Sequence, residues 1–113
     1  MEADERALAG LLAQLWLRHG APAKARTLLR GVARLAPPDD DREIHKLLAW
    51  AEVACGDGRA ALDAVERYRV ADPFADEASP IELVRARALL LAGRAEEARA
   101  AFARFLASRA ALE

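Results

Sequence analysis

The side chains that most often act as nucleophiles, general bases or soft metal ligands are few in this chain. Its 113 residues include two histidines, His19 and His45, and one cysteine, Cys55. A metal site or a nucleophile–base pair needs several such groups brought together, and the histidines fall on different predicted helices. One cysteine cannot form an internal disulfide. We expect no catalytic site, no metal site and no cofactor, and we interpret the histidines as surface or boundary residues and Cys55 as an inert buried thiol.

Two short segments have some features of ligand-binding loops. Asp39-Asp40-Asp41 offers three carboxylates, but it lacks the alternating ligands and the central glycine of a calcium loop. Gly56-Asp57-Gly58-Arg59 is rich in glycine, but no strand precedes it and no Gly-Lys-Ser follows it, as a phosphate loop requires. We interpret the first segment as a helix cap and the second as a turn between helices. An enzyme is therefore the least favoured class of protein.

The balance of charge argues against a nucleic-acid partner. The chain has 17 basic and 18 acidic residues and a formal net charge of −1. A row of basic residues lies along the predicted second helix. Because no aromatic side chain is interleaved with this row, a solvated outer face is favoured over an RNA-binding stripe. The row consists of Lys24, Arg26, Arg30 and Arg34.

No segment has the features of a membrane anchor or a signal peptide. Uncharged apolar stretches such as Ala88 to Ala92 are far below the roughly 20 residues that span a bilayer. The first residues are acidic and mixed, whereas a signal peptide begins with basic residues and continues with an apolar run. We expect a soluble cytoplasmic protein that does not insert into a membrane.

Helix-breaking residues divide the chain into six segments with apolar residues at helical spacing. The breaks fall at Gly20–Pro22, Ala36–Asp39, Gly56–Gly58, Ala71–Pro73, Ser79–Pro80 and Gly93–Arg94. No segment alternates with a period of two, and only 5% of the residues are aromatic, so the pattern predicts six helices and no sheet. In the first segment the periodic residues are Leu8, Leu11, Leu12, Leu15 and Trp16. We expect an all-α fold in one domain, residues 1–113.

Capping residues support these boundaries. Asp39 to Asp41 place carboxylates before the third helix, where free backbone N–H groups need acceptors. Ser79, Pro80 and Glu82 match a capping box in which Ser79 is the N-cap and Pro80 the first helical residue. A glycine follows the first, third and fifth helices, where a left-handed residue is commonly required.

The helices form an internal repeat at spacings of 36 and 37 residues. The repeated sets are Gly20, Gly56 and Gly93; Ala25, Ala61 and Ala98; Leu29, Val65 and Phe102; and Val32, Tyr68 and Phe105. The small alanine lets the second helix of each unit cross close to the first. The larger residues four and seven positions later lie on the same face and are expected to fill the seam.

This pattern resembles the tetratricopeptide repeat, a unit of about 34 residues with Gly, Ala, a large apolar residue and Pro in this order. Pro37 and Pro73 close the first two units, whereas the third lacks its proline and has Arg85 and Ala86 in place of the usual Leu-Gly. The resemblance implies three tetratricopeptide-like helix-turn-helix repeats, at about 3–37, 41–73 and 79–109, that form a short right-handed solenoid.

In such a solenoid the first helix of each unit lines the concave side. The resemblance therefore predicts a partner-binding groove formed by Leu11, Gln14, Leu17, Lys46, Trp50, Val53, Leu83, Arg87 and Leu90. Apolar residues spread over roughly 200° of the third helix, about twice what one buried face needs. We expect a protein partner to cover Trp50, Val53, Leu83 and Leu90; the alternative is that the small stack buries them itself.

A three-repeat chain of this length more narrowly resembles the small cytosolic chaperones of type III secretion, in particular the YscY (SctY) group. The similar segments are the apolar run Leu11–Leu17 with Gly20 after it, the run Ala25–Leu29, and Ala98–Leu106. The chain departs from that group by a two-residue lengthening at Asp39–Asp41 and by its Ala/Arg-rich composition.

The resemblance implies a chaperone that forms a heterodimer with a small secreted protein of the SctX type and delivers it to the export gate. Two alternatives remain: a needle-subunit co-chaperone of the same fold, and a homo-oligomeric scaffold. The last helix supports a complex, because Phe102, Phe105 and Leu106 must be covered by the fifth helix, by Leu112 folding back, or by a second chain.

Overall fold

The structure, a computed structural model, describes residues 2–35, 41–73 and 76–112. Within these ranges it contains six helices and no strand, which confirms the all-α prediction. The helices are α1 (Ala3–Arg18), α2 (Pro22–Leu35), α3 (Arg42–Ala54), α4 (Gly58–Ala71), α5 (Ile81–Leu91) and α6 (Ala95–Ala111).

Each helix packs against the next one in sequence, and the odd-numbered helices also pack against each other. α1 contacts α3 and α3 contacts α5, whereas among the described residues α2 does not pack on α4, nor α4 on α6. α3 is the central element because it contacts four other helices, and seven of its 13 residues are buried. The odd-numbered helices thus form one continuous layer.

Three glycines end the first helix of each pair, as predicted. Gly20, Gly56 and Gly93 have φ values of 76°, 81° and 81°, in the left-handed region that disfavours side chains. The residue after each glycine donates its backbone N–H to the carbonyl five positions earlier, for example Ala21 to Trp16 at 2.8 Å and Asp57 to Glu52 at 2.9 Å. This hydrogen bond is typical of a helix C-terminus that reverses the chain.

The repeated alanines and larger apolar residues lie in the core with one exception, whereas the three repeated glycines are exposed. Ala25, Ala61, Leu29 and Val65 are fully buried, so the small residues do allow close crossing. Phe102, at the position equivalent to Leu29 and Val65, is instead 44% exposed. The prediction for Phe102 is wrong because, among the described helices, α6 packs only against α5.

The expected coverage of the last helix also fails in part. Phe105 is buried, but Leu106 is exposed and Leu112 is 75% exposed, so Leu112 does not fold back over them. One face of α6 therefore remains open at this end of the molecule.

The leucines of α1 do not form its buried side. That side consists of Ala9, Gly10 and Ala13, and a Cβ on Gly10 would lie 3.7 Å from a methyl group of Leu47. Small residues let α1 approach α3 closely. Leu8, Leu11, Leu12 and Leu15 are exposed, contrary to a simple interpretation of their spacing.

The predicted caps are confirmed in one case and wrong in the other. Asp41 accepts a hydrogen bond from the Ile44 N–H at 3.3 Å, whereas Asp39 and Asp40 lie outside the described residues. α5 begins at Ile81, and its N-cap, Pro80, makes no side-chain cap hydrogen bond among the described residues. No capping box forms at Ser79, because Glu82 accepts a hydrogen bond from Arg69 at 2.6 Å instead.

The surroundings of α3 correct three further predictions, on His45, on the basic row of α2 and on Cys55. His45 and Glu52 are both buried, so His45 is not a surface or boundary residue. Arg30 donates to the two carboxylate oxygens of Glu52 from Nε at 2.8 Å and from Nη2 at 2.9 Å, and Arg26 lies 3.9 Å away. The basic row on α2 is therefore partly an inter-helix contact. Cys55, expected to be buried, is half-buried.

Candidate protein-binding groove

Three adjoining depressions run along the layer of α1, α3 and α5. The first, of about 450 Å³, and the second, of about 140 Å³, lie between α1 and α3 and share Gln14, Glu43 and Leu47. The third, of about 610 Å³, lies between α3 and α5 and shares Lys46 and Trp50 with the second. Because neighbouring depressions share walls, they form one surface, which we call the trough.

The structure brings together eight of the nine residues predicted to form the groove. Gln14, Leu17, Lys46, Trp50, Val53, Leu83 and Arg87 line the second and third depressions. Leu11 lines the first depression. Leu90 lines none of the three; it lies on α5 three residues beyond Arg87 and is 61% exposed.

Sequence analysis missed several residues of the third depression. Ala54, Pro80, Ile81 and Val84 also line it. Val84 belongs to the apolar periodicity of the fifth helix, so its contribution was accessible from the sequence. Pro80 lines the trough because of the path of the chain before α5, which spacing along a helix does not predict.

The apolar side chains of the trough are accessible in the isolated chain. Trp50 is 56% exposed, Leu83 is 37% exposed, and Val53 is half-buried. α3 and α5 pack against each other, and Ile81 of α5 belongs to the same buried cluster as Leu47 and Leu48 of α3. This contact leaves Trp50 exposed. The alternative in which the stack seals these side chains itself is therefore wrong for the described residues.

The charged residues that line the trough are four basic and two acidic ones: Arg6, Arg18, Lys46, Arg87, Asp41 and Glu43. Lys46 lies 3.0 Å from a carboxylate oxygen of Glu43, and Gln14 donates to Glu43 at 3.5 Å. Arg18 and Arg87 are exposed and line the second and third depressions. An apolar floor with a basic edge is complementary to an apolar segment that carries acidic residues beside it.

A different cavity of about 460 Å³ lies between α2, α3 and α4. His45 lines it together with the charged residues Arg30, Glu52, Asp63 and Arg67. Its buried carboxylate, Glu52, is already held by Arg30. We interpret this cavity as the edge of an inter-helix ion-pair network rather than as part of the groove.

Neither protein-family models nor curated proteins match the sequence. In the described part of the chain, no three side chains of the His, Cys, Asp and Glu types cluster as metal ligands. No helix in that part is long and apolar enough to cross a membrane.

Proposed function

We propose that this chain is a protein-binding helical module that holds an apolar segment of a partner protein in the trough. The observation that carries the proposal is the exposure of Trp50 and Leu83 in a depression of about 610 Å³ with an apolar floor. A surface tryptophan beside other exposed apolar groups is typical of an interaction site. The chain acts by binding, and its activity needs no cofactor.

The energetics of burial support this role. Fully burying a large apolar side chain stabilises a complex by about 1.5–3 kcal/mol. Trp50, Val53 and Leu83 are partly exposed in the free chain, so covering them together gains several kcal/mol before the costs of association.

The proposed architecture is a short right-handed solenoid of three tetratricopeptide-like repeats. Three observations support it: the left-handed glycines recur at equivalent positions, Ala25 and Ala61 are equally buried, and α1, α3 and α5 form one layer. In that architecture this layer is the concave side, on which the trough lies.

We further propose that the chain is a cytoplasmic chaperone of type III secretion, similar to the YscY (SctY) group. Its partner is then a small secreted protein of the SctX type, bound as a heterodimer and passed to the export gate. An accessible apolar trough suits such a role, because a chaperone must cover an apolar segment of its client until export. A needle-subunit co-chaperone of the same fold is the second candidate.

Co-expression with a SctX-type protein tests the proposal. We expect a 1:1 complex that is lost in Trp50→Ala and in Leu83→Asp. Val70→Asp is the matched control, because Val70 is 66% exposed on α4 and outside the trough. Unchanged co-purification with both trough variants contradicts the groove assignment. A complex only with a needle subunit favours the co-chaperone instead.

A further inference from the structure

The outer face of α1 is apolar and is separate from the third depression of the trough, between α3 and α5. Leu8, Leu11, Leu12 and Leu15 are 66%, 63%, 41% and 53% exposed. Their spacing of three and four residues aligns them along one side of the helix, opposite the buried Ala9 and Ala13. We call these four residues the leucine face. Leu8, Leu12 and Leu15 line none of the depressions of the trough.

The charges at the two ends of the leucine face are of opposite sign. Asp4 and Glu5 lie in the first turn of α1, and Arg18 lies in the last turn, followed by His19. The acidic end is the N-terminus and the basic end the C-terminus, so an antiparallel neighbour with the same charges is favoured by both the charges and the helix dipoles.

The spacing along α1 is self-complementary in that orientation. When two copies lie antiparallel with the midpoint between Leu11 and Leu12, Leu8 of one copy faces Leu15 of the other. At 100° per residue Asp4 lies about 30° and Arg18 about 70° to the same side of the middle of the leucine face, and equal sides meet in a two-fold antiparallel pair. Asp4 therefore meets Arg18 of the second copy, once on each side of the two-fold axis.

The apolar surface extends beyond the four leucines. On the other flank it continues into a depression of about 500 Å³ between α1 and α2, whose walls are mainly apolar atoms of Trp16, Ala23, Lys24, Thr27 and Leu28. This extension brings the surface closer to the roughly 800 Å² per partner of a stable interface.

We propose that the leucine face is the interface of a homodimer in which α1 packs antiparallel to α1 of a second copy. The binding partner of this face is a second copy of the chain, because two antiparallel copies match each other in leucine spacing and in charge. This inference does not rest on the proposed function. The dimer covers Leu11 of the first depression and engages Arg18 of the second. It leaves the third depression, between α3 and α5, free to bind one partner per chain.

The first test is the mass of the purified chain by light scattering over a range of concentrations. We expect twice the 12.3 kDa chain mass, and monomers for Leu8→Glu and Leu15→Glu. Val70→Glu, at equal exposure on α4, is expected to remain dimeric. Circular dichroism checks that each variant keeps its helices. A wild-type monomer at all concentrations, or a dimer that survives both substitutions, overturns the proposal.

A charge exchange tests the orientation. Asp4→Arg and Arg18→Asp each place like charges opposite one another, and we expect each to raise the dimer dissociation constant by about tenfold. The double variant exchanges both ends and is expected to restore the wild-type value. In a parallel pair, residue 4 faces residue 4 and residue 18 faces residue 18, so like charges meet in every variant. A double variant whose dissociation constant does not return to the wild-type value therefore overturns the antiparallel arrangement.

Discussion

Gly58 shows how a single missing side chain permits two helices to meet. A Cβ on this first residue of α4 would lie 2.6 Å from the carbonyl oxygen of Ala88 and 2.7 Å from the nitrogen of Ala92. Both atoms are backbone, so the start of α4 and the end of α5 would have to separate to admit a methyl group. The sequence indicated only a turn at this position, because the neighbour lies some 30 residues away along the chain.

The Gly58→Ala variant is therefore expected to lower the free energy of unfolding by about 1–3 kcal/mol. Gly31→Ala is the matched control, because nothing lies within 4 Å of its added Cβ and alanine is the better helix former; we expect it to raise that free energy by up to about 1 kcal/mol. Urea denaturation followed by circular dichroism measures both. Equal effects of the two substitutions contradict the close approach of α4 and α5.

Also at the scale of residues, the backbone conformation of single residues could be predicted from the sequence, whereas side-chain contacts between helices could not. The left-handed glycines follow from glycine's lack of a Cβ, so Gly20, Gly56 and Gly93 could be placed from the sequence. His45 and the Arg30–Glu52 pair could not, because their burial depends on how α2 packs against α3. A basic row on one helix looks solvated until an acidic residue of the next helix is placed beside it.

At the scale of elements, helix-breaking residues and apolar periodicity predict the number and bounds of the helices. They do not always predict which side of a helix is buried. α1 carries two apolar sides, one of small residues and one of leucines. Hydrophobicity alone favours the leucines for the core, whereas close contact with α3 selects Gly10 and Ala13. The exposed leucines then become a surface that needs another partner.

Helix caps allow a direct comparison between a cap that forms, at Asp57, and a predicted cap that does not, at Ser79. Asp57 accepts a hydrogen bond from the Ala60 N–H at 3.0 Å, so Asp57→Ala is expected to cost about 1 kcal/mol of stability. Ser79 does not cap α5, so Ser79→Ala is expected to change stability by less than about 0.5 kcal/mol. Thermal or urea unfolding measures both. A larger loss of stability in Ser79→Ala would show that Ser79 caps α5 after all.

At the scale of the whole molecule, the trough arises because the odd-numbered helices form one layer. The resemblance to the tetratricopeptide repeat implied which residues line the groove, and for this reason Lys46, Trp50 and Arg87 were identified from the sequence. The extent of the surface depends on the path of the chain before α5 and on where α5 ends, so Pro80 was missed and Leu90 falls outside. Phe102 was misplaced because α6 has no helix beyond it in the described part of the chain.

The fluorescence of Trp50 tests the binding role of the trough most directly. In a Trp16→Phe chain Trp50 is the only tryptophan, and it is 56% exposed. Titration with a tryptophan-free SctX-type partner is predicted to shift its emission to shorter wavelength and to saturate at one partner per chain, because an apolar segment replaces water around the indole. A complex that forms while the emission of Trp50 stays unchanged would contradict the account.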